Sequence, residues 1–322
     1  MKVKKLKDPD KKIYSRVFIL KSNGEKETFG VISEREELTV QRKKTELSPS
    51  QKLYLNKQND LKKQCYDLGG YIHMLYTKNE ILFNGLSLDK ANITRIIYLA
   101  TYMDFQQKGL LVYQPKDKEG RFLPFEPINK KTMQNILGLG DTAFKKFLKD
   151  MKENKIIFEV EKKFYIDTQY FIKGGVENFN KKEQSYCRLF IDTVRAIYGS
   201  CKAKEHKTLA NVYQLIPFVH YSNNMVCHNP YCLESDTTPI SLKEIGDLLG
   251  IEDNSSNLKR LVKDLESIKV NIKDKEYKLF AYTKMKDKDF FFVNPYVVYS
   301  GNKVDNIRWV ADTYFFRGQN NK

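Results

Sequence analysis

Residues 129–166 read NKKTMQNILGLGDTAFKKFLKDMKENKIIFEVEKKFYI, and this stretch decides the fold. Asn129 has the short polar side chain of a helix N-cap, and the run it opens reaches Gly138, the residue type that ends helices. Gly138-Leu139-Gly140 leaves room only for a tight turn. A second helix then starts at Asp141 or Thr142. Its Phe144, Phe147, Leu148 and Met151 fall on one side at helical spacing, while Lys145, Lys146, Lys149 and Lys152 fall largely on the other. Ile156–Val160 and Phe164–Ile166 follow as short β-rich runs joined by Glu161-Lys162-Lys163, which predicts a hairpin.

Working outward, Asp89-Lys-Ala-Asn-Ile-Thr opens an earlier helix with Ile93, Ile96, Ile97 and Ala100 on one face, and LLVYQP (110–115) reads as a short strand. The same order returns about 114 residues later. Leu209, Val212, Tyr213 and Ile216 repeat the first apolar face, and Met225-Val226-Cys227 stands for the strand. Ser241-Leu-Lys-Glu244 is a capping box that opens a helix reaching Gly250. The next helix begins near Ser256, with Leu258, Leu261, Val262 and Leu265 inward and a second hairpin from Leu279 to Val293 after it. FYIDTQYFIKGG (164–175) and FFVNPYVVYSGN (291–302) close the two copies alike, Gly174 matching Gly301. Helix, short turn, helix and hairpin is the order of a winged helix-turn-helix domain, which lays its second helix in a major groove.

The expectation is an α+β, mainly helical chain of two tandem winged helix-turn-helix domains, at 61–176 and 177–302. A basic N-terminal arm with a β-hairpin (1–60) precedes them, and a C-terminal tail or helix (303–322) follows. In the arm, residues 1–12 read as disordered, and two β-rich runs flank a turn at Ser22-Asn23-Gly24. Residues 41–64 read as a charged connector or partial helix, broken at Ser48-Pro49-Ser50. In the tail, NIRWVADTYFFRG, which holds Trp309, suggests a short helix whose apolar residues pack on the second unit or meet a partner, packing being the default.

The bulk numbers agree. A chain of 322 residues suggests two domains, and 41% hydrophobic content supplies a core. Lys and Arg number 56 against 40 acids, a net charge of +16 that favours a polyanionic partner. The five cysteines are an odd number, MKVKKLKDPDKK lacks an apolar leader segment, and no run approaches ~18 apolar residues. These point to a cytoplasmic protein with free thiols and no membrane partner.

The segments SNGEKETFG (22–30), FYIDTQYFIKGG and FFVNPYVVYSG resemble RepL-type replication initiators of Gram-positive plasmids and phages, over roughly residues 14–176. The second copy is additional, because the usual member has one winged helix. Asp167-Thr168 also stands where Asn-Pro is expected, whereas the second copy has Asn294-Pro295. The resemblance implies recognition of duplex DNA at an origin or operator and supplies no catalytic residue.

The candidate DNA-binding residues are Thr142, Lys145, Lys146 and Lys149 on the first exposed helix face, with Lys162 and Lys163 at the hairpin tip. In the second copy they are Asn257, Lys259, Arg260 and Lys263, with Lys284, Lys286 and Lys288 on its hairpin. Arg260 is the best reader of guanine, since its fork can meet O6 and N7 together. Both copies could read successive major grooves, or one could bind DNA while the other dimerises. Cys227-His228 and Cys232, with His220, lack a familiar zinc spacing. No phosphate-cradling Gly-rich loop and no His-x-His pair occurs. The expectation is thus a non-enzymatic protein without metal or cofactor. It would bind double-stranded DNA, with host replication or transcription proteins and a second copy of itself as further partners. Three functions stay open: replication initiator, phage transcription regulator of the same fold, or winged-helix adaptor for a protein partner.

Overall fold

The computed structural model describes residues 2–7, 13–20, 26–33, 47–75, 88–174, 186–272, 275–301 and 303–315. It is α+β, with helices and small antiparallel sheets, and divides into two compact units between Lys52 and Leu53. The first unit holds β1 (Lys2–Lys7), β2 (Ile13–Leu20) and β3 (Lys26–Ser33), an antiparallel sheet in that order. Strand Lys2–Lys7 corrects the expectation of disorder for those residues, while residues 1 and 8–12 lie outside the described residues. The hairpin β2–β3 leaves the backbone groups of β2 unpaired on one side, and β1 fills them with Val3 opposite Val17. The turn expected at Ser22-Asn23-Gly24 lies outside the described residues, as do residues 34–46.

Helix α1 (Pro49–Asp67) crosses the unit boundary. Ser-Pro-Ser was expected to break the chain, but here it starts a helix. The Gln51 amide donates to Ser48 Oγ at 3.2 Å, the Ser48 amide donates to Gln51 Oε1 at 2.9 Å, and Pro49 takes the first turn, where its missing N–H costs nothing.

The first repeat then runs β4 (Tyr71–Leu75), α2 (Lys90–Ala100), β5 (Val112–Tyr113), β6 (Glu126–Pro127), α3 (Lys130–Leu137), α4 (Asp141–Glu153), β7 (Ile157–Val160), β8 (Lys163–Ile166) and β9 (Phe171–Ile172). The second runs β10 (Tyr186–Phe190), α5 (Ile191–Ser200), α6 (Glu205–Leu215), α7 (Leu242–Leu248), α8 (Ser255–Ser267), β11 (Lys269–Ile272), β12 (Lys275–Lys278), β13 (Phe280–Met285), β14 (Lys288–Val293) and β15 (Val298–Tyr299). The hairpin β11–β12 was not expected from sequence. It is inserted between α8 and the second long hairpin and buries Val270, Ile272 and Tyr277. Helix α9 (Val304–Val310) closes the chain with a π turn over 311–315. Of its apolar residues Ile307, Val310, Ala311 and Phe315 pack inward, while Trp309 is 57% exposed. Among the described residues no helix is long and apolar enough to cross a membrane.

Three backbone bonds match between the repeats. The Leu111 amide donates to the Phe164 carbonyl at 2.9 Å, and the Val226 amide to the Phe291 carbonyl at 2.8 Å. Ile166 donates to Gly109 as Val293 donates to Asn224, and Asp167 to Ile156 as Asn294 to Leu279. Gly109 and Asn224 both hold left-handed backbones, at φ 81° and 59°. Each long hairpin is thus tied through its second strand to the segment before the helix pair, Gly109–Leu111 in one repeat and Asn224–Val226 in the other, where isolated bridges stand in place of the strand expected at Met225–Cys227.

One four-stranded sheet, in the order β15-β10-β4-β9, joins the repeats. Leu75 donates to Tyr170 as Phe190 does to Val297, which makes β4 and β10 counterparts at an offset of 115 residues. In their antiparallel pairing His73 lies opposite Arg188, its own counterpart. A strand that pairs with its counterpart at the counterpart residue lies on a local two-fold axis. Helices α2 and α6, counterparts in the two repeats, meet directly: Lys90 Nζ donates to Asn211 Oδ1 and Thr94 Oγ1 to the His206 carbonyl, both at 2.7 Å. The segments 61–176 and 177–302 therefore share one sheet and one hydrophobic core.

His73 is 4% exposed, set edge-on against Tyr71 and Tyr186. Burial, and then the Arg188 charge, push its imidazole down to about 4. The unfolded chain thus binds the proton more readily, so stability is full above about pH 6.5 and falls as pH drops from there toward 4. The expected loss is ~3 kcal/mol, read as a lower denaturant midpoint at pH 4.5 than at 7. His73→Gln should flatten that pH dependence.

Candidate nucleic-acid interface

The local sequence sets each helix pair before packing refines it. Asn129 Oδ1 accepts from the Thr132 amide at 2.9 Å and starts α3, while Gly138, at φ 63°, ends it. In the second repeat Ser241 and Glu244 form the capping box that starts α7, and Gly250, at φ 65°, follows its end. Gly138 and Leu139 donate to Asn135 and Gln134, and Gly250 and Ile251 donate to Asp247 and Gly246. The turn is three residues in the first repeat (138–140) and six in the second (249–254). Asn254, which accepts from the Asn257 amide at 2.8 Å, then starts α8.

Helices α4 and α8 have thirteen residues each and align end to end, Asp141 with Ser255. Phe144, Phe147, Leu148 and Met151 are buried, as expected. Their partners are Leu258, Leu261, Val262 and Leu265, of which Leu258 and Val262 are half-buried. No core pair is identical. The identities are Lys145 with Lys259, Lys149 with Lys263, and Asp150 with Asp264, at exposed or half-buried positions. Lys146 pairs with Arg260, which keeps the charge. Thr142 pairs with Ser256, which keeps the hydroxyl. Ser256 is exposed, whereas Asn257, the residue singled out from sequence, is half-buried and pairs with Ala143. Only alignment of the helix starts reveals Ser256, because the longer second turn shifts the register.

Lys145, Lys146, Lys259 and Lys263 are exposed, with no carboxylate within ion-pair distance among the described residues. Lys149 lies 3.7 Å from Glu153, and Arg260 Nε lies 3.7 Å from Asp264. Both pairs are one helical turn apart and solvent-exposed, so each is worth only ~0.3–0.5 kcal/mol and yields readily to another anion. Exposed Lys130 and Lys131, at the start of α3, extend this cationic surface and were not singled out from sequence.

The hairpins add further cations. Glu161 and Lys162 turn the first one with φ of 50° and 64°, the mirror-image turn that suits a tight hairpin. Lys162 is fully presented at that tip, while Lys163 begins β8 half-buried. In the second hairpin Lys284, Lys286 and Lys288 are exposed, with Lys286 at the turn, φ 54°. Not every base is free. Lys152 donates to Glu159 at 2.7 Å and holds that carboxyl below its usual range, and Lys243 lies 2.6 Å from Asp253.

The cysteine–histidine segment has a different character. Cys227 is fully buried at the strand position, and burial pushes its thiol up to about 11. The Nε2 of His220 sits 3.1 Å from the Cys232 carbonyl oxygen. Among the described residues no three His, Cys, Asp or Glu side chains gather as a metal site. Comparison with known protein families, with characterised proteins and with solved structures finds no match to this chain, so its reading rests on the residues themselves.

Proposed function

We propose that this chain is a non-enzymatic, sequence-specific double-stranded DNA-binding protein, built from two winged helix-turn-helix modules and acting as a phage or plasmid replication initiator. The carrying observation is the pairing of α4 with α8. Their cores diverge at every position, yet their outward faces keep Thr/Ser, Lys, Lys/Arg and Lys at the same four places. Packing needs no such agreement, because exposed lysines contribute little to stability. A shared ligand for both faces accounts for it, and cationic side chains spaced along one helix face suit phosphates and base edges. Net charge of +16 supports a polyanion. The initiator role rests on the resemblance of residues 14–176 to RepL-type proteins, which the alternative of a phage transcription regulator shares in fold.

The test is a titration of the purified chain against a random-sequence duplex at rising salt. Six or more phosphate contacts imply that affinity falls about a thousandfold or more between 50 and 200 mM salt. Weak binding that ignores salt would favour a protein-adaptor role instead. Deleting the selected DNA site from a plasmid replicon should stop its replication, and continued replication would favour a transcription regulator.

A further inference from the structure

We infer that a single copy of this chain reads two similar half-sites in inverted orientation, a near-palindrome that conventional recognition would assign to a homodimer. This rests on the duplex-binding reading above and adds the symmetry of the target. The axis comes from the pairing at the centre of the shared sheet. His73 pairs with its counterpart Arg188 in the shared sheet. The outer strands repeat the relation, His73 opposite Ile172 and Arg188 opposite Tyr299, both at offsets consistent with the hairpin bonds. Helices α2 and α6 meet beside it, Lys90 Nζ donating to Asn211 Oδ1 and Thr94 Oγ1 to the His206 carbonyl.

Carried to the helix pairs, a two-fold axis sets α4 and α8 at one height on either side of it, with the components of their directions across the axis opposed. B-DNA has two-fold axes of its own, perpendicular to its length. Two like helices related by such an axis meet like base sequences only when those sequences are inverted; a direct repeat would require a translation or screw relation. Helices engaging successive major grooves on one side of the duplex place half-site centres about 10 base pairs apart. Because Thr142, Lys145, Lys146 and Lys149 answer to Ser256, Lys259, Arg260 and Lys263, the halves should be similar rather than identical, with guanine favoured opposite Arg260.

The experiment selects from a library of duplexes carrying about 30 random base pairs, long enough for both half-sites, with the full chain as the binder. Expected are two related blocks in inverted orientation, and a complex mass of one chain per duplex. Inserting about 5 base pairs between the blocks turns one half-site to the opposite side of the duplex and should lower affinity about tenfold or more. The K259A/R260A/K263A variant should lose preference in one block and keep it in the other. A direct repeat, a single unsymmetrical block, or two chains per duplex would overturn the inference while leaving duplex recognition intact. Failure to enrich any duplex, without salt-sensitive binding, would remove the underlying reading as well.

Discussion

Replacing Lys145, Lys146 and Lys149 together with alanine should weaken binding to every duplex about a hundredfold near physiological salt. The salt slope should fall by about 3, since each phosphate contact contributes about 0.9 to it. The side chains are exposed, and the one pairing among them, Lys149 with Glu153, is a solvated helix pair. The thermal midpoint should therefore hold, because surface substitutions of this kind lie within about 0.5 kcal/mol. Arg260→Ala should act differently. It should relax discrimination at one base pair by about 1–3 kcal/mol and leave binding to other sequences nearly intact. Anisotropy titrations of both variants on selected and random duplexes distinguish the two roles. Unchanged affinity in the triple variant would sink the proposed interface, and uniform weakening from Arg260→Ala would reduce that residue to a phosphate contact.

Gly109→Ala should cost about 3 kcal/mol or more, and for a chain of this size that lowers the thermal midpoint by about 5 °C. Gly109 sits at φ 81°, and a Cβ there would run into the Ile166 carbonyl oxygen. That oxygen is backbone, so relief requires moving the strand that donates Ile166 N–H to Gly109 O at 2.8 Å. A side chain in the left-handed region adds about 1–2 kcal/mol by itself. Asn224, the counterpart, meets the same demand by another route. Asparagine tolerates that conformation, and its side-chain amide donates to the carbonyls of Val293 and Val298 at 3.0 and 2.8 Å. Asn224→Gly should therefore keep the backbone but lose these bonds, while Asn224→Ala should lose both and destabilise more. Denaturant melts rank the three variants. A Gly109→Ala protein as stable as the parent would refute the close approach.

The contrast between Gly109 and Asn224 also marks what sequence could disclose. Residues 129–166 were legible because each boundary carries its own chemistry: Asn129 caps, Gly138 turns left-handed, and the apolar spacing of Phe144 to Met151 repeats at 3.6 residues. The exposed cations of α4 followed from the same periodicity. The shared sheet was not legible. β4 and β10 pair across more than a hundred residues, and no local signal records which distant strand a short apolar run will choose. The same limit hid Lys2–Lys7, whose charged sequence reads as solvated until a neighbouring strand supplies backbone partners. Ser48-Pro49-Ser50 was misread because proline both breaks and begins helices, and only Gln51 three residues after Ser48 separates the two uses. In the second repeat the helix starts at Ser255, one residue before the start expected near Ser256, and that shift moves the counterpart of Thr142 from Asn257 to Ser256.

The self-matching register of β4 and β10 has a consequence for a severed chain. Each strand is interior only because the other flanks it, so either half alone would bare a row of unpaired amides and carbonyls. That row already complements its own counterpart about His73. A fragment ending near residue 174 would thus be drawn to a second fragment like itself, rebuilding as an assembly what the intact polypeptide achieves by containing both halves.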